Sequence, residues 1–274
     1  MNLPKKLTYD TSVYRLANIL YRGMGYMEGW DKIELDRVHE LPTVKEQNLL
    51  SIPITEDNDN STQFHKWYYE ACATRDLLEF AYKQVIKDVV RGYIGDNPEE
   101  DIVFQKHPSI RIQFPGQRAT GAFQNDKHYG HGEFEICGYI PLTDSYGNAT
   151  IWVETEEGKE DYQPLECKFG DIWLYDGANL KWGENINDTD KTRISLEFRV
   201  ADLSTYIDNP NVKTKNTDMN FMLCDYWWRT TKNLSNDKMR PKDWPNLQGV
   251  DMDKNITAFK TKRLQRLKAE KSDF

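Results

Sequence analysis

The strongest constraint on the fold is the pattern of residues 101–202, where short apolar runs alternate with turn-forming residues. The runs are rich in Val, Ile, Phe, Tyr and Trp, and Gly, Pro, Asn or Asp separates each run from the next. Turn signals recur about every 8–12 residues, a spacing that predicts an all-β sandwich or barrel and not βαβ units. A small barrel of this kind can hold one ligand at its mouth. The predicted strands are 101–105, 109–114, 119–124, 133–140, 149–155, 163–168, 171–175, 180–184 and 191–200.

The sequence on either side of 101–202 predicts supporting elements within one compact domain. Residues 1–100 are expected to be a mostly helical support region, in which the clearest helix begins at the N-cap candidate Ser61 and ends near Gly92. Residues 203–274 are expected to form a polar C-terminal extension that ends in a basic helix at about 260–268.

Charge and composition exclude several classes of protein. The chain has 274 residues, with 36 Lys and Arg against 44 Asp and Glu, a net charge of −8. This acidic balance argues against nucleic acid as a partner, because that affinity depends on clustered basic side chains. No apolar run reaches the roughly 18–20 residues of a membrane span, and the N-terminus lacks the apolar core of a signal peptide. The four cysteines form no Cys-x-x-Cys pair, so we expect a cytoplasmic protein without a disulfide framework.

The residues with chemical potential cluster within the β stretch. An imidazole-based metal site must draw on five histidines in all, and two of these, His128 and His131, lie in the first of the segments below. In chain order the segments are Phe123-Gln124-Asn125-Asp126-Lys127-His128-Tyr129-Gly130-His131-Gly132-Glu133-Phe134-Glu135, Ile140-Pro141-Leu142-Thr143, Trp152-Val153-Glu154, Leu180-Lys181-Trp182-Gly183-Glu184-Asn185, Asn187-Asp188-Thr189 and Thr192-Arg193-Ile194-Ser195-Leu196-Glu197-Phe198-Arg199.

Over 107–200 these segments resemble the non-haem Fe(II)/2-oxoglutarate-dependent oxygenases, specifically their streptomycin-biosynthesis-type branch. The resemblance implies a mainly β protein with helical flanks, built on a double-stranded β-helix, the jelly-roll or cupin-like barrel. It also implies hydroxylation of a small polar substrate of the amino-sugar or amino-acid class, with Fe(II) and 2-oxoglutarate as cofactors. In such enzymes two imidazoles and a carboxylate hold the iron, and an Arg binds the distal carboxylate of 2-oxoglutarate. Arg193 matches that Arg, and Ser195 faces the same side of the strand.

Two positions depart from the family's pattern. Gln124 stands where the family has its first His, and Trp182 stands where it has its distal His. Of the three expected iron ligands, only Asp126 is in place. Trp cannot ligate iron, because its indole N–H is only a donor, and Gln is a weak oxygen ligand. The same fold therefore does not imply the same activity.

Relocated ligands are one way to rebuild an iron site around Asp126. On a regular strand, His128 would share a face with Asp126. A bend at Gly130 would bring His131 to the same place, and Glu133 is a further carboxylate within reach.

Three functions stay open at this point. The first is an iron oxygenase with a rearranged metal site. The second is an iron-free protein that binds a small polar molecule, with Arg193 and Arg111 as anchors for a carboxylate. The third is a structural or assembly subunit that forms a defined oligomer. The expected pocket residues are Arg111, Gln113, Gln124, Trp182 and Asn185.

Overall fold

The computed structural model describes residues 2–23, 33–41, 64–65, 68–69, 72, 74–98, 100–214 and 218–230. The predicted helix start at Ser61 and the predicted basic helix at about 260–268 lie outside the described residues. No helix within the described ranges has the length and hydropathy needed to cross a membrane.

Seven strands form the main antiparallel sheet. They are β1 (Lys5–Thr8), β2 (Ile102–Gln105), β3 (Ser109–Gln113), β4 (Ile136–Pro141), β7 (Asp171–Tyr175), β9 (Arg193–Asp202) and β12 (Trp227–Arg229). The order across the sheet is β1-β7-β4-β9-β2-β12, with β3 also paired to β9. β9 pairs with β4 along one edge, while β3 and β2 cover successive halves of its other edge. The long strand β9 is therefore the centre of the sheet.

A second antiparallel sheet is smaller. It contains β5 (Ile151–Val153), β6 (Gln163–Pro164) and β8 (Trp182–Glu184), in the order β6-β5-β8. Gln124 extends it, because its backbone exchanges two hydrogen bonds of 3.0 Å with Trp182. β10 (Asn209–Lys213) and β11 (Asn220–Phe221) form a separate two-stranded sheet.

The helices cover one face of the main sheet. Along the helix α3 (Arg75–Val85) the buried residues Leu78, Ala81, Tyr82 and Val85 recur at three- and four-residue spacing, which places them on one side of the helix. They share a hydrophobic core with alternate residues of β9. The α-helices are α1 (Thr11–Tyr14), α2 (Leu16–Gly23) and α3 (Arg75–Val85), with further helical turns at Leu35–Glu40, Ile86–Val90, Arg91–Tyr93 and Asp126–Tyr129.

Strand β9 separates two environments, because successive side chains of a strand point to opposite faces. Its apolar set faces the helices and is completely buried; these residues are Ile194, Leu196, Phe198 and Val200. Its polar set faces the second sheet and is also buried; these residues are Arg193, Ser195, Glu197 and Arg199. Four polar side chains are thus held in the space between the two sheets.

The prediction of a mainly β, antiparallel protein with few helices is confirmed. The closed double-stranded β-helix stays a prediction. The predicted strand at 119–124 is wrong, since only Gln124 forms a bridge and the N–H of Ala119 donates to the Glu184 carboxylate at 2.7 Å. β1 lies in the region expected to be helical, and β12 lies in the expected extension, yet both pair within the main sheet.

Candidate functional site

Asp126, the residue that the sequence resemblance predicts as an iron ligand, is completely buried. It begins a short 3-10 helix, Asp126–Tyr129, which ends at Gly130 with a positive φ of 87°. Its backbone N–H donates to the carbonyl of Gly177 at 2.8 Å. The side chain is therefore fixed by local backbone geometry and points into the space between the two sheets.

Three donors surround the Asp126 carboxylate. The guanidinium Nε of Arg199 lies 2.7 Å from Oδ2, and the indole Nε1 of Trp182 lies 3.0 Å from Oδ1. The thiol of Cys137 also donates to Oδ2, at 3.1 Å. Trp182, which the resemblance aligns with an expected iron ligand, thus donates to the carboxylate of the other expected ligand.

Electrostatics keep Asp126 ionised. Burial raises the pKa of the Asp126 carboxyl, but the Arg199 charge, His131 and the hydrogen bonds outweigh burial and lower the pKa to about 2. Burial, reinforced by the neighbouring Asp126 charge, raises the pKa of the Cys137 thiol well above its ordinary value. Asp126 and Arg199 therefore form a charge-compensated pair, next to a thiol that stays protonated.

The relocated-ligand candidates take other roles. The expectation that Asp126 and His128 share the face of a regular strand is wrong, because the segment is helical and His128 is exposed. His131 Nδ1 lies 2.6 Å from Glu135, in a buried pair. Glu133 is exposed and pairs with a lysine at the surface. Within the described ranges, there is no group of three or more His, Cys, Asp and Glu side chains that could hold a metal ion. Fe(II) therefore does not fit the residues around Asp126.

Arg193 forms a second buried cluster further along β9. Its Nη1 donates to Ser195 Oγ at 2.9 Å, and its Nε donates to Gln113 Oε1 at 3.3 Å. Its Nη2 forms an ion pair with Glu184, and both side chains are completely inaccessible to solvent. The predicted cofactor pair Arg193 and Ser195 is thus brought together, but a carboxylate of the chain itself already contacts the guanidinium.

Glu184 is the functional residue that the sequence analysis missed. It lies on β8, two positions after Trp182, so strand alternation places both side chains on one face. This alternation was the available signal. Burial raises the pKa of Glu184, while the Arg193 charge opposes that shift.

The remaining predicted pocket residues complete this cluster. Arg111 Nε lies 3.0 Å from Glu197 Oε2, and both side chains are buried. Glu197 Oε1 has no hydrogen-bond partner among the described residues. Gln113 Nε2 donates to the backbone carbonyl of Asn185 at 2.8 Å, so Asn185 contributes its backbone and not its amide. The cluster contains two guanidinium groups and two carboxylates.

Comparison with known proteins identifies one curated relative. The chain is 29% identical over 223 residues to the streptomycin biosynthesis protein StrG of Streptomyces griseus, covering 81% of this chain and 96% of the relative. No family model matches the chain.

Two solved structures illustrate the structural similarity. The nickel complex of the non-heme monooxygenase ThoJ is 12% identical with a TM-score of 0.38, covering 97% of this chain and 95% of ThoJ. CytC3 with Fe(II) and alpha-ketoglutarate is 16% identical with a TM-score of 0.37, covering 73% of this chain and 71% of CytC3. In sequence, then, the chain is similar over four fifths of its length to a streptomycin biosynthesis protein.

Proposed function

We propose that this chain is an oxygenase-like protein without an iron centre, which binds a small polar molecule between its two sheets. The observation that carries the proposal is the Asp126 carboxylate, whose acceptor positions are used by Arg199, Trp182 and Cys137. The sequence resemblance and the similarity to a streptomycin biosynthesis protein support the oxygenase-like ancestry.

Iron binding is disfavoured by chemistry as well as by geometry. A facial Fe(II) site needs two imidazoles and a carboxylate with free lone pairs. Here the two imidazole positions are Gln124 and Trp182, and a metal at Asp126 would have to displace the Arg199 guanidinium. Displacement would leave a buried charge without its partner, which is strongly unfavourable.

The cosubstrate position is also filled. Arg193, the residue that matches the family's 2-oxoglutarate anchor, is paired with Glu184 in a completely buried contact. A second carboxylate at this guanidinium would meet the negative charge of Glu184. We therefore favour the iron-free binding protein over the dioxygenase, and we take a small polar ligand of the amino-sugar or amino-acid class as the starting hypothesis for its ligand.

Anaerobic titration with Fe(II) and 2-oxoglutarate tests the proposal. We expect the wild-type protein to give no metal-to-ligand charge-transfer band and to contain no stoichiometric iron by elemental analysis. The matched comparison is the iron content of the double variant Gln124→His/Trp182→His, which supplies imidazoles at the two positions that the resemblance assigns to iron ligands. A charge-transfer band in the wild-type protein that disappears in Asp126→Ala would contradict the proposal.

Ligand binding is measured separately, because a protein that fails to bind iron need not bind a small polar molecule. Thermal-shift screening of amino sugars and amino acids should give a saturable rise in melting temperature. If no small molecule has any effect and the protein forms a defined oligomer by light scattering, the assembly-subunit function replaces the one proposed here.

A further inference from the structure

The pair of Glu184 and Arg193 has the properties of an anion-binding site in which the anion is a side chain of the protein itself, the carboxylate of Glu184. Both side chains are completely inaccessible to solvent. The guanidinium directs its other N–H groups to Gln113 at 3.3 Å, Ser195 at 2.9 Å and Tyr139 at 3.5 Å. An Arg donates but never accepts, so a carboxylate is the natural partner for the remaining edge, and Glu184 provides it.

Glu184 is itself held in position by the backbone. Its second oxygen, Oε2, accepts a hydrogen bond of 2.7 Å from the N–H of Ala119. Both carboxylate oxygens are therefore engaged, one by Arg193 and one by Ala119. A ligand carboxylate could reach Arg193 only by breaking both contacts.

We propose that Glu184 determines the ligand class of this interior: it occupies the carboxylate position at Arg193, so that the site rejects carboxylates and accepts a hydroxyl-bearing molecule, which selects sugars and amino sugars over amino acids. This inference rests on the proposed function, because it names the ligand of the same interior. It makes Glu184 a specificity residue, not a catalytic one.

Glu197 indicates that the ligand carries a hydrogen-bond donor. Its Oε2 accepts from Arg111 at 3.0 Å, whereas its Oε1 has no partner among the described residues, although the residue is only 1% exposed. A carboxylate oxygen only accepts hydrogen bonds, and a buried acceptor without a donor is costly. A hydroxyl group of a ligand is the donor that this atom lacks.

The pairing of Arg193 with Glu184 disfavours a ligand carboxylate. Both side chains are buried, so a second carboxylate at this guanidinium would be buried without a cation of its own, which is expensive. A sugar hydroxyl satisfies Glu197 without adding a negative charge.

Chemical rescue tests the role of Glu184. In Glu184→Ala the side chain's carboxylate is missing, and we expect added propionate to raise the melting temperature saturably by filling the vacated position at Arg193. Propionamide, its neutral isostere, should not do so, and neither compound should stabilise the wild-type protein. If Glu184→Ala does not fold, Glu184→Ser, which also vacates the position at Arg193, is titrated in the same way. A folded variant that gains nothing from propionate beyond the wild-type response overturns the proposal.

Three sugars of one ring type test the ligand class by calorimetry: glucose is neutral, glucosamine is cationic and glucuronate is anionic. We expect glucose and glucosamine to bind at least about tenfold more tightly than glucuronate, and Glu197→Gln to weaken glucose binding by about tenfold through the lost charge-assisted hydrogen bond. Preference for glucuronate, no binding of any of them, or an unchanged affinity in Glu197→Gln overturns it. These outcomes are independent of the iron titration. A failed sugar-binding test leaves the metal-free assignment intact, whereas an iron signal in the titration refutes the proposed function itself.

Discussion

The buried ion pair between Asp126 and Arg199 gives the sharpest prediction about stability. Asp126 is fully buried, the Arg199 side chain is 9% exposed, and their atoms approach to 2.7 Å. Replacing Arg199 by Met removes the charge while keeping much of the volume. The variant leaves an ionised carboxylate with only the indole and thiol donors, and breaking a buried pair from one side costs about 3–5 kcal/mol. We expect that loss in the free energy of unfolding of Arg199→Met, measured by urea denaturation at pH 7.

An exposed ion pair with the same distance between its charged atoms is the matched control for the effect of burial. Lys213 and Asp218 also approach to 2.7 Å, but their side chains are 53% and 82% exposed. Lys213→Met should therefore cost less than about 1 kcal/mol, because water already solvates both charges. If Arg199→Met costs no more than Lys213→Met, the carboxylate of Asp126 is not held as a buried charge and the argument against a metal site loses its basis.

A double-mutant cycle completes the measurement. Asp126→Asn combined with Arg199→Met removes both charges, so the double variant should be more stable than the sum of the two single losses indicates, with a coupling of about 1–3 kcal/mol. Nickel or cobalt should not restore stability to Arg199→Met, since the described residues include no group of three or more metal-ligating side chains. Additive losses, or a saturable stabilisation by metal, would contradict the assignment of a buried ion pair without a metal.

Three further predictions follow from single positions. Burial lowers the pKa of His65 to about 3, against about 6.5 in the unfolded chain. The free energy of unfolding should therefore fall as pH drops below about 6.5. Urea denaturation at a series of pH values should show that this free energy depends less on pH in His65→Gln. In Gly138→Ala the new methyl group overlaps the ring of Phe198, and calorimetry should find a destabilisation of about 1–3 kcal/mol. Trp182→Phe removes the indole donor to Asp126 and should cost about 1.5–3 kcal/mol in urea denaturation; an unchanged stability would show that this hydrogen bond is not formed.

Strand β9 illustrates what local sequence patterns can predict. Between Arg193 and Val200 polar and apolar residues alternate, and that period of two predicts a strand with one apolar face. The structure places the apolar face against the helices. Period-two patterns give the existence of the strands and the mainly β class, because they depend only on neighbours in the chain.

The environment of Asp126 depends on distant residues, and the sequence pattern did not predict it. The donors Cys137, Trp182 and Arg199 lie 11, 56 and 73 positions away along the chain. Local reasoning placed Asp126 and His128 on one face only if the segment were a regular strand, whereas the chain turns there into a 3-10 helix that ends at Gly130. Buried ion pairs that join separate elements are set by tertiary packing, which has no local signature.

Glu184 was missed for the same reason. A lone Glu in a short strand is usually solvated, and the partner that makes it a buried residue, Arg193, belongs to the other sheet. The alternation of β8 placed Glu184 on the same face as Trp182, so the position could be predicted while the partner could not. Sequence therefore located the candidate site better than it identified the contacts within it.

Strand β8 contacts both buried charge clusters. Its residues Trp182 and Glu184 share one face, and Trp182 donates to Asp126 while Glu184 pairs with Arg193. Each of these side chains thus satisfies a charge that would otherwise be buried with fewer partners. In Gln124→His/Trp182→His, Glu184 would still close Arg193 to a ligand carboxylate. We therefore expect that any gain of iron binding in this variant comes without a gain of 2-oxoglutarate binding, which requires a further change at Glu184.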